Sequence, residues 1–272
     1  MKFSWTSGIE KPELRKKPYF DSEALMFEFA LSLNTHALSE ANLGCDSCSK
    51  GDFPSASRQF AKTAGIFMYL GEDILPSWMA NCTDQAEREN ESLAETKTGV
   101  AVAFTLLFQA MSQQMAVATV LAKPDVPNYA LLGKLCLGIA DDLDSFLATL
   151  RSEAPVQMQR IDPGFLKLVV FNSSIQRTLS LYFFARGLWN SSEYGVAISA
   201  IREAWSAITN QTKPRLSGRA APEIQFNGTL HAMRDEVNSF KQHINELLKS
   251  WEKDNSQIYF EEVSQSENRL ST

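Results

Sequence analysis

The stretch Cys-Asp-Ser-Cys, carrying Cys45 and Cys48, has the spacing of a half zinc site or of a dithiol that cycles to a disulfide. Zinc needs four ligands, and no second C-x-x-C or H-x3-H supplies the other two. Cys82 and Cys136 stand apart, and His36, His231 and His243 are scattered. A redox pair belongs at a helix start after a strand, whereas this pair falls in a link between two helical patterns, so both cysteines read as loop residues without metal or catalysis. Asp141, Asp142 and Asp144 read as the solvated edge of a helix. No P-loop, G-x-S-x-G, H-E-x-x-H or paired-carboxylate pattern occurs, so the chain is not read as an enzyme and no cofactor is expected. Two basic loops, Arg15-Lys16-Lys17 and Lys213/Arg215/Arg219, have the charge for peripheral contact with acidic membranes. Each alone carries only a few kcal/mol and reads as a solvated loop.

Composition narrows the classes further. The 272 residues are 44% hydrophobic with a net charge of -6, ordinary for a globular chain and against nucleic acid as a partner. Four cysteines and no signal peptide in the opening residues imply a reducing cytosolic setting. The six N-x-S/T matches (Asn81, Asn90, Asn172, Asn190, Asn210, Asn227) are then chance. Residues 98–122 carry no charge and are long enough to span a bilayer. Gln109, Ser112, Gln113 and Gln114 sit in the middle of that run, where lipid offers their polar groups no partner, and only Lys97 and Lys123 flank it. The expectation is a helix buried centrally among other helices.

Helical periodicity dominates the remainder. Asp21-Ser22 is expected to cap a helix that sets Leu25, Phe29 and Leu33 on one face. Asp52 is expected to cap the next, with Pro54 in its first turn. There Ala61, Ala64 and Gly65 would admit a close neighbour while Phe60, Ile66, Phe67 and Leu70 fill space. Further helices are expected at about 95–122, 128–150, 164–189, 193–208 and 222–251, with breaks at Pro76, 123–127, 162–164 and 213–222. Only the start, Lys-Phe-Ser-Trp, reads as strand. Long helices on short links imply an all-α, elongated, solenoid-like stack of antiparallel helix pairs without a fixed repeat period. No composition shift marks a second domain, so 1–272 reads as one domain: an entry strand and loop to 20, a helical core over 21–253, and a tail over 254–272.

That tail poses its own question. Asp254, Asn255 and Ser256 compete for backbone hydrogen bonds and should end the last helix, yet Ile258-Tyr259-Phe260 follow in a polar setting. Ile258 and Tyr259 are expected to clip the returning chain onto the body, with Glu261 and Glu262 in water.

Seven segments, in order, carry a resemblance across nearly the whole chain. They are FSWTS (3–7), ALMFEFALSLNTHALSEAN (24–42), ASRQFAKTAGIFMYLGEDILP (56–76), FQAMSQQMAVA (108–118), LLGKLC (131–136), YGVAISAIREAW (194–205) and EKDNSQIYFEEV (252–263). Taken together they resemble the Bro domain family, which is ESCRT-associated. The resemblance implies a boomerang-like solenoid with a tetratricopeptide-like core and no catalysis. Its concave face would hold the C-terminal amphipathic helix of an ESCRT-III subunit, a charged multivesicular body protein. It also implies that the last long helix is followed by a segment folded back along the body, which accounts for the aromatic tail.

Of the family's three apolar groove residues, two fall on Leu131 and Leu135, one helical turn apart, with Lys134 at the rim. The third, a phenylalanine in the family member compared, falls on Gln114, beside Met115. The family's domain begins about one helical layer earlier and runs past the tail, so this chain reads as a shortened member. Its ending, Arg-Leu-Ser-Thr, is not a prenylation box. The functional expectation is a non-enzymatic ESCRT adaptor, cytoplasmic and peripherally recruited to endosomes. The alternative is a scaffold of the same fold that binds a signalling or cytoskeletal partner.

Overall fold

A computed structural model of the protein describes residues 2–11, 13, 19–81, 93–210 and 233–263. The two basic loops, Cys82, His231 and the sequons at Asn90 and Asn227 lie outside the described residues. The chain is all-α with one small sheet, in which β1 (Phe3–Trp5) pairs antiparallel with β2 (Phe20–Ser22) in the register Phe3↔Ser22 and Trp5↔Phe20. The helices are α1 (Leu25–Ser49), α2 (Phe53–Tyr69), α3 (Leu75–Asn81), α4 (Thr98–Leu121), α5 (Tyr129–Glu153), α6 (Pro155–Met158), α7 (Pro163–Asn190), α8 (Tyr194–Asn210) and α9 (Arg234–Asp254). Two compact units divide them, the first being residues 1–123 with 141–167 and the second 124–140 with 168–272.

In the first unit, α1 and α2 form a hairpin. Its link turns on Gly51, whose φ of +75° suits a residue without Cβ, and Asp52 caps α2 by accepting from the Ser55 amide at 3.1 Å. The Asp52 cap and Pro54 in the first turn are as expected. α1 is not capped by Asp21-Ser22: those residues belong to β2, and Ala24 occupies the cap position without a side-chain bond. Its buried face is also a different one. Phe27, Ala30, Leu31, Asn34, Ala37 and Ala41 point inward, while Leu25 and Phe29 are exposed. On α2 the small buried residues are Ala56, Thr63 and Ala64; Ala61 and Gly65 face outward. Glycine is needed instead at Gly71, in a five-residue π-helical turn (Leu70–Ile74), where a Cβ would sit 3.1 Å from Val102 Cγ2 and 3.3 Å from its backbone nitrogen. Pro76 does not break the path, because helical structure continues from that turn through α3.

Aromatic rings fill the space between α2, α4 and the end of α5. Phe67 stacks on Phe108 at 5.6 Å, and Phe104 meets Phe67 at 5.3 Å and Phe146 edge-on at 5.7 Å. α4 starts three residues later than expected, after a 3-10 turn (Ala94–Thr96). By length and composition it is the one helix among the described residues that could cross a membrane. Its first half is enclosed by protein, with Gly99, Val100, Ala101, Phe104, Leu107 and Ala110 all buried.

The second unit is built on the outer part of α7 together with α8 and α9. Ala185, Ala197, Ile198, Ile201, Ala204 and Ile208 meet Val237, Ile244, Leu248 and Trp251. α9 carries apolar residues on a single stripe and is otherwise polar, so packing rather than composition holds it in place. Close approach of α5 to α7 is set by Gly133, where a Cβ would meet the Phe184 ring at 3.0 Å. Trp189 lies flat on Trp251, with centroids 4.3 Å apart and planes at 4°.

Candidate functional site

Cys45 and Cys48 are in the last turn of α1, not in a loop, because the helix runs on to Ser49. Both are free thiols, Cys45 exposed and Cys48 half-buried. Burial first, then the neighbouring Cys48 and Asp46, pushes the Cys45 thiol up, opposite to the shift an activated nucleophile needs. Cys136 is buried and its thiol is pushed up to about 12. Among the described residues no group of three His, Cys, Asp or Glu side chains could hold a metal ion. Asp142 is not simply solvated: it is half-buried, Gln113 Nε2 donates to its Oδ2 at 3.1 Å, and burial followed by Asp141 raises its carboxyl.

No sequence pattern announces the burial of Glu95, which is 4% exposed. Glu95 accepts from Ser7 Oγ at 2.9 Å through both oxygens and from the Gly8 amide at 2.7 Å, while its carbonyl takes Asn34 Nδ2 at 3.2 Å. Burial raises this carboxyl, partly offset by those donors. It ties the entry segment to α1 and the start of α4. The signal in the sequence is a lone acid in Leu-Ala-Glu-Thr, which nothing marks as inward-facing.

The leucines on α5 divide between surface and core. Leu131 is 52% exposed and Leu135 half-buried one turn later, with Lys134 exposed between them and Leu132 at 1% in the core. Asn128 Oδ1 accepts from the Leu131 amide at 3.0 Å, capping the helix just where the stripe begins. These residues belong to the second unit, whereas Gln114 and Met115, both half-buried, lie on α4 in the first.

The tail is anchored, but by different atoms from those expected. Tyr259 stacks on Tyr194 at 3.6 Å and meets Trp189 edge-on at 5.9 Å. Ile258 is 62% exposed and Phe260 74%, so Ile258 does not clip onto the body. A π-helical turn (Asn255–Tyr259) ends in Phe260 at φ 52°, in the left-handed region. The turn is held by Asn255, which is buried: its Oδ1 accepts from the Glu261 amide at 3.0 Å and its Nδ2 donates to the Glu261 carbonyl at 2.9 Å. The Glu261 side chain does not simply face water, since its Oε2 takes the Gly195 amide at 2.7 Å, at the first turn of α8.

The described residues thus form an all-α fold that displays Leu131 at the surface of α5. The BRO1-like domain model matches residues 1–271, and the chain belongs to that family. ALG-2 interacting protein X of Dictyostelium discoideum is 24% identical over 262 residues, covering 96% of this chain and 29% of that protein. The vacuolar protein-sorting protein bro1 of Schizosaccharomyces pombe is 26% identical over 137 residues, 50% of this chain and 17% of that one. The chain therefore spans less than a third of the length of these relatives.

Several solved structures share the fold. A Bro1 domain described as the basis for endosomal targeting matches with a TM-score of 0.77 at 16% identity, over 98% of this chain and 65% of that one. The ALIX BRO1 domain in complex with CHMP4C matches with a TM-score of 0.74 at 15% identity, over 97% and 66%.

Proposed function

We propose that this protein is a non-enzymatic adaptor of the ESCRT pathway that holds the C-terminal amphipathic helix of an ESCRT-III subunit, acting in the cytoplasm and recruited peripherally to endosomes. The observation that carries the reading is the leucine pair on α5. Leu131 stands 52% exposed on the helix whose next residue, Leu132, is 1% exposed. Leucine in water is unfavourable, and a displayed apolar stripe with a charged rim, here Lys134, is what an amphipathic helix needs to dock. Support comes from the family and from the solved ALIX BRO1 complex, whose bound partner CHMP4C is an ESCRT-III subunit. Gln114, where the family member compared has a phenylalanine, favours the second reading, a scaffold for a signalling or cytoskeletal protein.

The test is Leu131→Asp, assayed by fluorescence anisotropy against labelled C-terminal helices of the ESCRT-III subunits. Docking sites concentrate their energy in few anchors, so the variant should lose at least about 2 kcal/mol of binding and stay folded by circular dichroism. A folded variant that binds with parental affinity refutes the assignment of the site.

A further inference from the structure

Four side chains of the second unit form one chain of contacts: Tyr129 of α5, Tyr182 and Arg186 of α7, and His243 of α9. Tyr129 stacks on Phe183 at 6.3 Å, and Tyr182 meets the same ring edge-on at 5.4 Å. Arg186 follows Tyr182 by one helical turn and sets its guanidinium 5.3 Å from the centre of the Tyr129 ring. Its Nη2 donates to the Tyr129 hydroxyl at 3.4 Å. The Tyr182 hydroxyl and His243 Nε2 are 3.1 Å apart. Tyr129, Tyr182 and Arg186 are half-buried and His243 is exposed, so packing anchors the group while solvent still reaches it. Its polarity is one-sided. A guanidinium has five N–H donors and no acceptor. Arg202 spends its donors on Glu252, at 2.8 Å from Nε and 2.6 Å from Nη2. Arg186 makes only the long bond to Tyr129, and among the described residues it pairs with no carboxylate.

We infer that this cluster is an oxyanion site that takes a phosphoryl group. The guanidinium fork matches two phosphoryl oxygens. The Tyr129 hydroxyl accepts from Arg186 and so keeps its own proton to donate to a third oxygen, which a carboxylate does not have. Tyr182 and His243 add a hydroxyl and an imidazole, each able to donate toward the same charge. Burial raises the Tyr182 hydroxyl and the Arg186 charge offsets part of that rise, so the field of the guanidinium reaches this second hydroxyl as well. The phosphoryl group arrives either as inorganic phosphate or on a lipid headgroup. The inference does not depend on the adaptor reading.

Two probes test it on the full chain. One is inorganic phosphate, titrated calorimetrically at fixed ionic strength with acetate as the competitor. The other is a phosphatidylcholine vesicle with or without phosphatidic acid, followed by cosedimentation. The parent should bind phosphate saturably, which makes the source free phosphate, or sediment only with the phosphatidic acid vesicles, which makes it a lipid. Arg186→Gln should weaken the binding observed at least tenfold. Tyr129→Phe should weaken it at least threefold while leaving the ring stacked on Phe183, so that its effect reports the lost hydroxyl and not a lost fold. Three results each overturn the inference: no saturable binding in either arm, parental binding by both variants, or acetate competing as well as phosphate does.

Discussion

Gly195→Ala tests how the tail is held, because two opposing effects meet at that one atom. Gly195 is buried in the first turn of α8, a position at which alanine is ordinarily the better helix former by up to about 1 kcal/mol. The added Cβ would collide with the carbonyl oxygen of Glu262 and lie 3.1 Å from its carbon and 3.4 Å from Glu261 Cβ. Both close atoms on Glu262 are backbone, so the tail has to move as a piece. Overpacking of this kind costs about 1–3 kcal/mol, and losing the bond from the Gly195 amide to Glu261 adds about 0.5–1.5 kcal/mol.

Set against the helix gain, the net expectation is a loss of about 1–3 kcal/mol, or roughly 2–10 °C in melting temperature for a chain of this size. The assay is denaturant unfolding followed by tryptophan fluorescence, since Trp189 lies beside Tyr259. A double-mutant cycle with Tyr259→Ala sharpens the result: once the tail is loosened, Gly195→Ala should become neutral or stabilising. If Gly195→Ala alone is as stable as the parent, and the tail resists proteolysis equally in both, the tail is not packed on α8 in this way.

Two other outcomes follow from the buried groups. Burial raises the Glu95 carboxyl above its unfolded value, so between the ordinary carboxylate range and its raised pKa the native chain holds a proton that the unfolded chain has lost. Stability should therefore fall as pH rises through that window. Glu95→Gln should flatten the dependence, and urea midpoints with an unchanged slope would contradict this. In a Cys82→Ser background, native protein should react with iodoacetamide at exposed Cys45 and leave Cys136 untouched until unfolding, since that thiol is buried and pushed up to about 12. Modification of both at equal rates would contradict the burial assigned here.

The helices were legible because their boundaries depend on local chemistry. Asp52 and Pro54 start α2 by capping and a preset φ, which act within one turn of the chain. What could not be read is whatever depends on a distant partner. Asp21-Ser22 has the composition of a cap and becomes a strand only because Phe3–Trp5 lies alongside it. Leu25, Phe29 and Leu33 form as regular an apolar row as Phe27, Ala30 and Leu31 do. Which row turns inward is decided by where α2 lies, and α2 packs against the smaller, alanine-bearing row. Gly65 and Gly71 are alike in sequence, yet a Cβ at Gly65 would meet nothing within 4 Å while Gly71 has Val102 against it.

The same asymmetry governs the candidate site. Spacing alone puts Leu131 and Leu135 on one side of α5 and Leu132 on another. Nothing in three leucines says which side is core. Gly133 breaks the tie physically: its missing side chain lets the Phe184 ring come in, so the face bearing Gly133 and Leu132 closes and the face bearing Leu131 stays open. In the tail the decision falls to Asn255, whose amide bonds to Glu261 at both backbone groups and fixes a left-handed Phe260. An aromatic patch of Ile, Tyr and Phe suggests that all three dock. The turn allows only Tyr259 to reach Tyr194, and so Ile258 and Phe260 are left outside by geometry rather than by hydrophobicity.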